Sequence, residues 1–199
     1  MLREHAMDKR IIKTKNNIKR TLVEMLKEKV YEDITVKELC ERAETSRITF
    51  YTHYSDKTEL VSDIFEDMRK KAYHEYNRLQ SENNQNGDVV LDYINVLDAI
   101  LSTYYGNIDF FMHTRSDVSP TLSHMYYNLI ETTMICKIEK DRERLNPTYP
   151  MNLVVSFICS GLRGFINEAR KDGFDDKDIR TMACEMLKNL LENDIVRKS

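Results

Sequence analysis

Three consecutive residues, Arg47, Ile48 and Thr49, hold the chemistry needed to read base edges in a DNA major groove. A guanidinium can donate two hydrogen bonds to guanine. A threonine can meet a base edge or a thymine methyl, and an isoleucine offers that methyl an apolar contact. Around them stand Thr35, Lys37, Ser46, Tyr51 and Lys57, whose donors suit phosphate oxygens and would fix register rather than read sequence. The starts of the helices here would add backbone N–H groups to that set. His53 suits either task. The local charge agrees. Residues 1–20 contain Arg3, Lys9, Arg10, Lys13, Lys15, Lys19 and Arg20 against only Glu4 and Asp8, whereas the whole 199-residue chain carries a net charge of −3. A basic leader on an acidic remainder fits a protein that meets phosphate at one end, although a solvated helix face would look the same by charge alone.

Other chemistries lack their parts. No G-x-S-x-G, P-loop, Rossmann glycine pattern or H-E-x-x-H is present, so an enzyme is not expected. His113, His124, Asp109 and Asp117 do not have the spacing of metal ligands, and neither a metal nor another cofactor is expected. Cys40, Cys136, Cys159 and Cys184 lie far apart among apolar residues and form no C-x-x-C pair, which reads as buried reduced thiols, with a redox switch as the alternative. No apolar run approaches the ~18 residues of a membrane span and the N-terminus is polar, so the expected compartment is the cytoplasm, with no membrane partner.

The elements that must position Arg47 to Thr49 all read as helices. With 41% hydrophobic and 32% charged residues but only 5 Gly and 3 Pro, the composition suits a helical protein with a sizeable core. Ile11, Ile18, Leu22, Met25 and Leu26 recur at helical spacing and predict an amphipathic helix over residues 9–29. Thr35 with Glu38 has the form of a capping box, and Ile34 with Leu39 that of a hydrophobic staple, so a second helix starts at Val36 with Leu39, Cys40 and Ala43 inward. Thr45 and Ser46 then start a third helix, Arg47 to Tyr54, after room for a tight turn only. Asp56 and Glu59 open a fourth, longer helix with a stripe of Leu60, Val61, Ile64, Phe65, Met68 and Ala72. Further helices are predicted over Val89 to Tyr105, Leu122 to Leu145, Pro150 to Asp172-Gly173 and onward from Asp175, with an aromatic link from Asn107 to Pro120. No strand alternation of useful length occurs, and the fold class is all-α.

A basic helix followed by two short helices across a tight turn is the arrangement that lays the second short helix in the major groove. Ile34 to Ala43, Ser46 to Tyr54 and Lys57 to Leu60 resemble the signature of the tetracycline-repressor (TetR/AcrR) family of regulators. The FYTHYSDKTEL segment matches most closely, through Tyr51, His53, Tyr54, Lys57 and Leu60. The resemblance implies a subunit of usually about nine helices. An N-terminal three-helix helix-turn-helix domain (1–56) would bind DNA, and a larger helical domain (57–199) would bind an effector and dimerise. It further implies a homodimer on a near-palindromic double-stranded DNA operator, acting as a repressor that a small-molecule effector releases. By the same resemblance Phe50 and Tyr54 are buried, Tyr51 and Lys57 touch phosphate, and Arg47, Ile48, Thr49 and Thr52 face the bases. With Thr35, Lys37, Thr45, Ser46 and His53 these make up the DNA-contacting set. One departure is Glu44, where the family usually has Gly in the turn; a left-handed conformation there costs roughly 1 kcal/mol. Two alternatives stay open: a packed three-helix unit that does not bind DNA, and an activator or regulator controlled by a protein partner.

In the larger domain, the helix from Pro150 carries Leu153, Val154, Val155, Phe157, Ile158, Leu162, Phe165 and Ile166, apolar on nearly every side, and is expected to be buried on more than one face. Ser156, Ser160 and Gly164 recur every four residues and would let another helix approach closely. With Met186, Leu187, Leu190 and Leu191 on the last helix they form a candidate dimer interface, for which packing within one chain is the alternative. Tyr93, Tyr104, Phe110, Phe111, Tyr126, Tyr127 and Met134 could line an effector pocket, and core packing would explain them as well.

Overall fold

The computed structural model describes residues 2–115, 117–145 and 149–192, with the side chains of 2–8, 145 and 151 left aside. The expected leader charges Arg3, Glu4 and Asp8 therefore lie outside the described residues. All regular structure among those described is helical: α1 (Leu2–Leu26), a 3₁₀ turn (Tyr31–Asp33), α2 (Val36–Arg42), α3 (Arg47–His53), α4 (Lys57–Asn83), α5 (Val89–Tyr105), α6 (Ile108–Phe111), α7 (Pro120–Lys140), α8 (Arg142–Leu145), α9 (Met151–Lys171) and α10 (Asp176–Leu190). The all-α class holds. Helix starts and stops follow from local chemistry. The Asp88 and Asp175 side chains accept from the backbone N–H of Leu91 and Asp178 at 2.8 Å each, and Gly173 takes the left-handed φ of 83° just past the end of α9.

The chain forms two compact units, Met1–Asp67 with Ile108–Tyr126, and Met68–Asn107 with Tyr127–Ser199. In the first, Ile18, Leu22, Met25 and Leu26 of α1 are buried together with Leu39, Phe50, Leu60 and Val61. Each such side chain contributes on the order of 1.5–3 kcal/mol by leaving water. The segment 108–126 adds an aromatic corner: Phe65 meets Phe110 edge to face at 5.7 Å, and Phe111 packs on Tyr126 at 4.6 Å. The Glu32 carboxylate accepts from the Ser119 hydroxyl at 2.9 Å, and the Ser119 oxygen in turn accepts from the Leu122 N–H at 3.3 Å at the start of α7.

In the second unit, Val90, Tyr93, Leu97 and Leu101 of α5 pack with Ala183, Leu187 and Leu191, Val155 and Leu162 of α9, and Ile138 of α7. A polar knot closes one end of this core. Asp92 takes hydrogen bonds from Tyr76 (2.7 Å), Gln80, Lys137 (3.0 Å) and Arg144 (3.2 Å), while Asp141 takes Tyr93 (3.1 Å), Lys137 (2.9 Å) and Arg144 (3.1 Å). The buried Asp92 thus has two cations, Lys137 and Arg144, within hydrogen-bond reach.

Several expectations change. Helix α1 begins at Leu2 rather than residue 9, and Ile11 is exposed on it. The helix expected over 122–145 is two, α7 and α8, and the aromatic link contains α6. Cys136 is exposed rather than buried, because it falls on the outer face of α7. Helix α9 is buried within its unit on one face only, through Val154, Val155 and Leu162, leaving Leu153 and Phe157 61% and 65% exposed. Leu187 and Leu191 face their own unit's core, since their spacing on α10 matches the α5 surface.

Candidate nucleic-acid interface

Helix α3 is held by a chain of local devices that begins at α2. Thr35 caps α2 by accepting from the Glu38 N–H at 3.2 Å, and Ile34 and Leu39 are both buried as the staple requires. The return bond of a capping box is replaced, because the Glu38 carboxylate pairs with Lys29 in the turn after α1. Arg42 of α2 pairs with Glu28 of the same turn. Helix α2 ends in a turn where Glu44 takes a φ of 48°, the only left-handed non-glycine among the described residues. That conformation lets the Thr45 N–H reach the Cys40 carbonyl at 3.0 Å, and Asn17 of α1 donates to the Ala43 carbonyl at 2.7 Å. Ser46 then caps α3 through the Thr49 N–H at 3.0 Å.

Helix α3 is seven residues long, too short to stand alone, and two aromatic anchors hold it. Phe50 is fully buried and Tyr54 nearly so. The opposite face looks outward. Ile48 is 82% exposed and Tyr51 56%, and Arg47 and Thr52 are exposed beside them. Thr49 is half-buried with its hydroxyl 2.8 Å from that of Ser46, and the Thr52 hydroxyl donates to the Ile48 carbonyl at 2.8 Å. Lys37 and Thr35 are exposed on α2 and before it, Ser46 is exposed, and Thr45 and His53 are half-buried. Except for Lys57, the expected set thus gathers around α3 and the start of α2.

Lys57 turns the other way. Its ammonium donates to the carbonyl oxygens of Tyr31 (2.7 Å), Glu32 (3.1 Å) and Ile34 (2.9 Å). An ammonium has three hydrogens, and all three are used inside the unit. Burial pushes its pKa down, against the pull of Glu32 and Asp33. The exposed start of α4 is instead served by Asp56, which accepts from the N–H groups of Thr58 (2.7 Å) and Glu59 (2.9 Å).

Sequence reading also missed an acidic residue. Asp63 of α4 accepts from the Tyr54 hydroxyl at 2.8 Å and pairs with both Lys15 and Lys19 of α1 at 2.9 Å. Lys19 pairs with Asp67 as well, at 2.5 Å. Burial alone would raise the Asp63 pKa, but hydrogen bonds from Lys15, Lys19 and Tyr54 outweigh it and hold the carboxyl at about 2. Burial and the same carboxylate push the Tyr54 phenol up. Two of the leader's lysines are thereby neutralised within the unit, whereas Lys9, Arg10 and Lys13 stay exposed. The only signal in the sequence was an i, i+4 pair of lysines on α1 with an i, i+4 pair of acids on α4.

The residues expected to line a pocket are divided between the two units. Phe110, Phe111 and Tyr126 belong to the first unit, and Tyr93, Tyr104, Tyr127 and Met134 to the second. Ring packing takes up the first three, and the Tyr93 hydroxyl is committed to Asp141. Tyr104 accepts from Arg170 at 2.6 Å, and the Tyr127 hydroxyl lies 2.8 Å from that of Ser160. An open cavity of about 290 Å³ in the second unit is lined by other residues, Ile135, Glu139, Arg142, Pro150, Asn152 and Val155. Of the expected dimer residues, Ser160 and Gly164 are exposed and Ser156, Met186 and Leu190 half-buried. Among the described residues no group of His, Cys, Asp and Glu could hold a metal ion, and no helix is long and apolar enough to cross a membrane.

Comparison with known proteins agrees with this geometry. Residues 20–64, which run from α1 into α4, match the sequence model of the family described as bacterial regulatory proteins, tetR family. An uncharacterized HTH-type transcriptional regulator of Bacillus subtilis, YxbF, is 38% identical over 53 residues, which are 27% of this chain and 14% of that protein's length. Over the whole chain the likeness is one of fold. A TetR-family regulator of Syntrophomonas wolfei superposes with a TM-score of 0.73 at 14% identity, covering 91% of this chain and 96% of the other. A TetR regulator of Streptococcus agalactiae does so with a TM-score of 0.62 at 20% identity, covering 92% and 98%.

Proposed function

We propose that this chain, a regulator of the tetR family by its N-terminal domain and its fold, binds a near-palindromic double-stranded DNA operator as a homodimer and represses transcription until an effector releases it. In this reading residues 1–56 are the DNA-binding domain and 57–199 the effector-binding and dimerisation domain. The observation that carries it is the outward face of α3. Arg47, Ile48 and Tyr51 are exposed on a helix anchored by two buried aromatic residues. Arg47 and Ile48 read bases together with Thr49, and Tyr51, Ser46, Thr35 and Lys37 hold phosphate. Lys9, Arg10 and Lys13 add the sequence-independent attraction. Because each subunit has one such helix, a two-fold dimer requires a two-fold site.

The uncovered face of α9 supports pairing of two chains. Leu153 and Phe157 lie on one side of it with Ser160 and Gly164, and a Cβ added at Gly164 would meet no atom within 4 Å. Space at Gly164 is therefore not demanded by its own unit. The effector site is proposed within the second unit, near the half-buried Tyr104, Tyr127 and Met134. Selection from random DNA by the purified protein, followed by sequencing, tests the whole reading: an inverted repeat is expected, and the absence of any enriched motif would overturn it. Titrating a ligand found by thermal shift with and without that operator then tests release. A repressor's effector binds the free protein more tightly by about 5- to 150-fold, whereas an activator's effector binds the operator complex more tightly.

A further inference from the structure

We infer that Asp63 is a specificity-determining residue of the DNA-binding unit: it fixes the end of α3 and keeps Lys15 away from phosphate. The inference rests on the DNA-binding reading above and goes beyond it. Three elements meet at one carboxylate oxygen. Tyr54, which terminates α3, donates to Asp63 Oδ2 at 2.8 Å, and the ammonium groups of Lys15 and Lys19 reach the same oxygen at 2.9 Å. Lys19 also donates to the Asp63 carbonyl at 3.3 Å, and Lys15 stands 5.2 Å over the Tyr54 ring. The reading residues Arg47 to Thr49 are on the same seven-residue helix that Tyr54 closes, so α3 cannot turn about its own axis without breaking this junction.

Charge makes the second half of the argument. Lys15 lies within two turns of Arg10 and Lys13, two of the exposed cations of α1, and its side chain is still 33% exposed; that of Lys19 is 13% exposed. Without the Asp63 carboxylate, Lys15 would join the exposed face and attract any duplex alike, whereas Lys19 would keep Asp67 and the Asp63 carbonyl. A lysine on phosphate raises affinity for all sequences alike and leaves the ratio of specific to random binding unchanged, so a fall in that ratio reports the loss of the Tyr54 junction that positions Arg47 to Thr49. Asp63 thus opposes non-specific attraction and holds the geometry of reading with a single group.

The test is Asp63→Asn in the full chain, with binding measured by fluorescence anisotropy on selected operator and on random duplex across a salt series. Each phosphate contact adds about 0.9 to the slope of log affinity against log salt. The freed Lys15 should therefore steepen the random-DNA slope by up to ~0.9, and a four-fold rise in salt should cost the variant roughly 3- to 4-fold more affinity than it costs the wild type. The ratio of specific to random affinity should fall. Adding Lys15→Gln to Asp63→Asn should return the slope to the wild-type value, which a purely structural defect would not do. Lys15→Gln with Asp63 intact keeps the test open should Asp63→Asn fail to fold: an unchanged slope is expected. A slope flattened by about one would show that Lys15 already holds phosphate and would overturn the inference. An unaltered slope and ratio in a folded Asp63→Asn would overturn it too. If the wild type enriched no motif and bound no duplex, the DNA-binding reading itself would fail.

Discussion

The Lys57 ammonium sits 4.3 Å above the Tyr31 ring and donates to the Tyr31 carbonyl at 2.7 Å, so a residue with the chemistry of a phosphate contact closes the 3₁₀ turn before α2 instead. Lys57→Ala should leave three carbonyls without their charged donor. A loss of about 2 kcal/mol is expected from the net worth of charge-assisted hydrogen bonds, read as a lower urea midpoint at unchanged slope. Little change in the salt dependence of random-DNA binding should accompany it. A salt slope flattened by about one, with stability intact, would instead return Lys57 to the phosphate contacts.

Glu44 holds a φ of 48° in the turn between α2 and α3. Glycine enters that region without a Cβ penalty, so Glu44→Gly should stabilise the chain by about 1 kcal/mol, less the backbone entropy that glycine adds to the unfolded state. Chemical denaturation decides it, and destabilisation would mean that the Glu44 side chain does something its backbone strain conceals.

Arg47→Ala should cost about 1–3 kcal/mol on the selected operator and relax base preference at one position per half-site, with little effect on thermal stability because Arg47 is exposed. Equal losses on operator and random duplex would reassign Arg47 to phosphate.

The two outer positions of α9 and the inner positions of α10 should separate cleanly. Phe157→Glu places a charge on a side chain that is 65% exposed in the single chain, so it should dissociate a dimer without unfolding the subunit, as sedimentation would report. Leu187→Ala, at a buried position, should instead cost about 2–5 kcal/mol of stability. A wild-type protein that sediments as a folded monomer at micromolar concentration would remove the dimer from the proposed mechanism.

Asp63 predicts an acid dependence. Its folded pKa of about 2 lies below the ordinary 3.8, so its stabilising effect is complete above the ordinary value and is lost as pH falls through about 2. The depression corresponds to about 2 kcal/mol. Wild type should therefore exceed Asp63→Asn in stability by that order near pH 6, and the gap should close between pH 4 and pH 2. A gap that stays constant across this range would place the effect of the substitution in packing, not charge.

What the sequence determined by itself was local. Thr35, Ser46 and Asp175 start helices because a short side chain reaches a backbone N–H three residues on, and Gly173 ends one because it alone of its neighbours accepts a positive φ freely. The resemblance of the segment around Tyr51 to Leu60 to a family signature likewise implied that Phe50 and Tyr54 are buried, as both are. Tertiary structure decided whatever needed a distant partner. Lys57 found carbonyls, Lys15 and Lys19 found Asp63, Leu187 and Leu191 found α5, and the aromatic residues of 93–134 divided between two units. An ammonium satisfies its hydrogens on a phosphate or on a carbonyl, and a leucine is buried by its own chain or by another. Sequence specifies the group and the helix face that carries it, and only the packing of distant elements specifies which partner comes within reach.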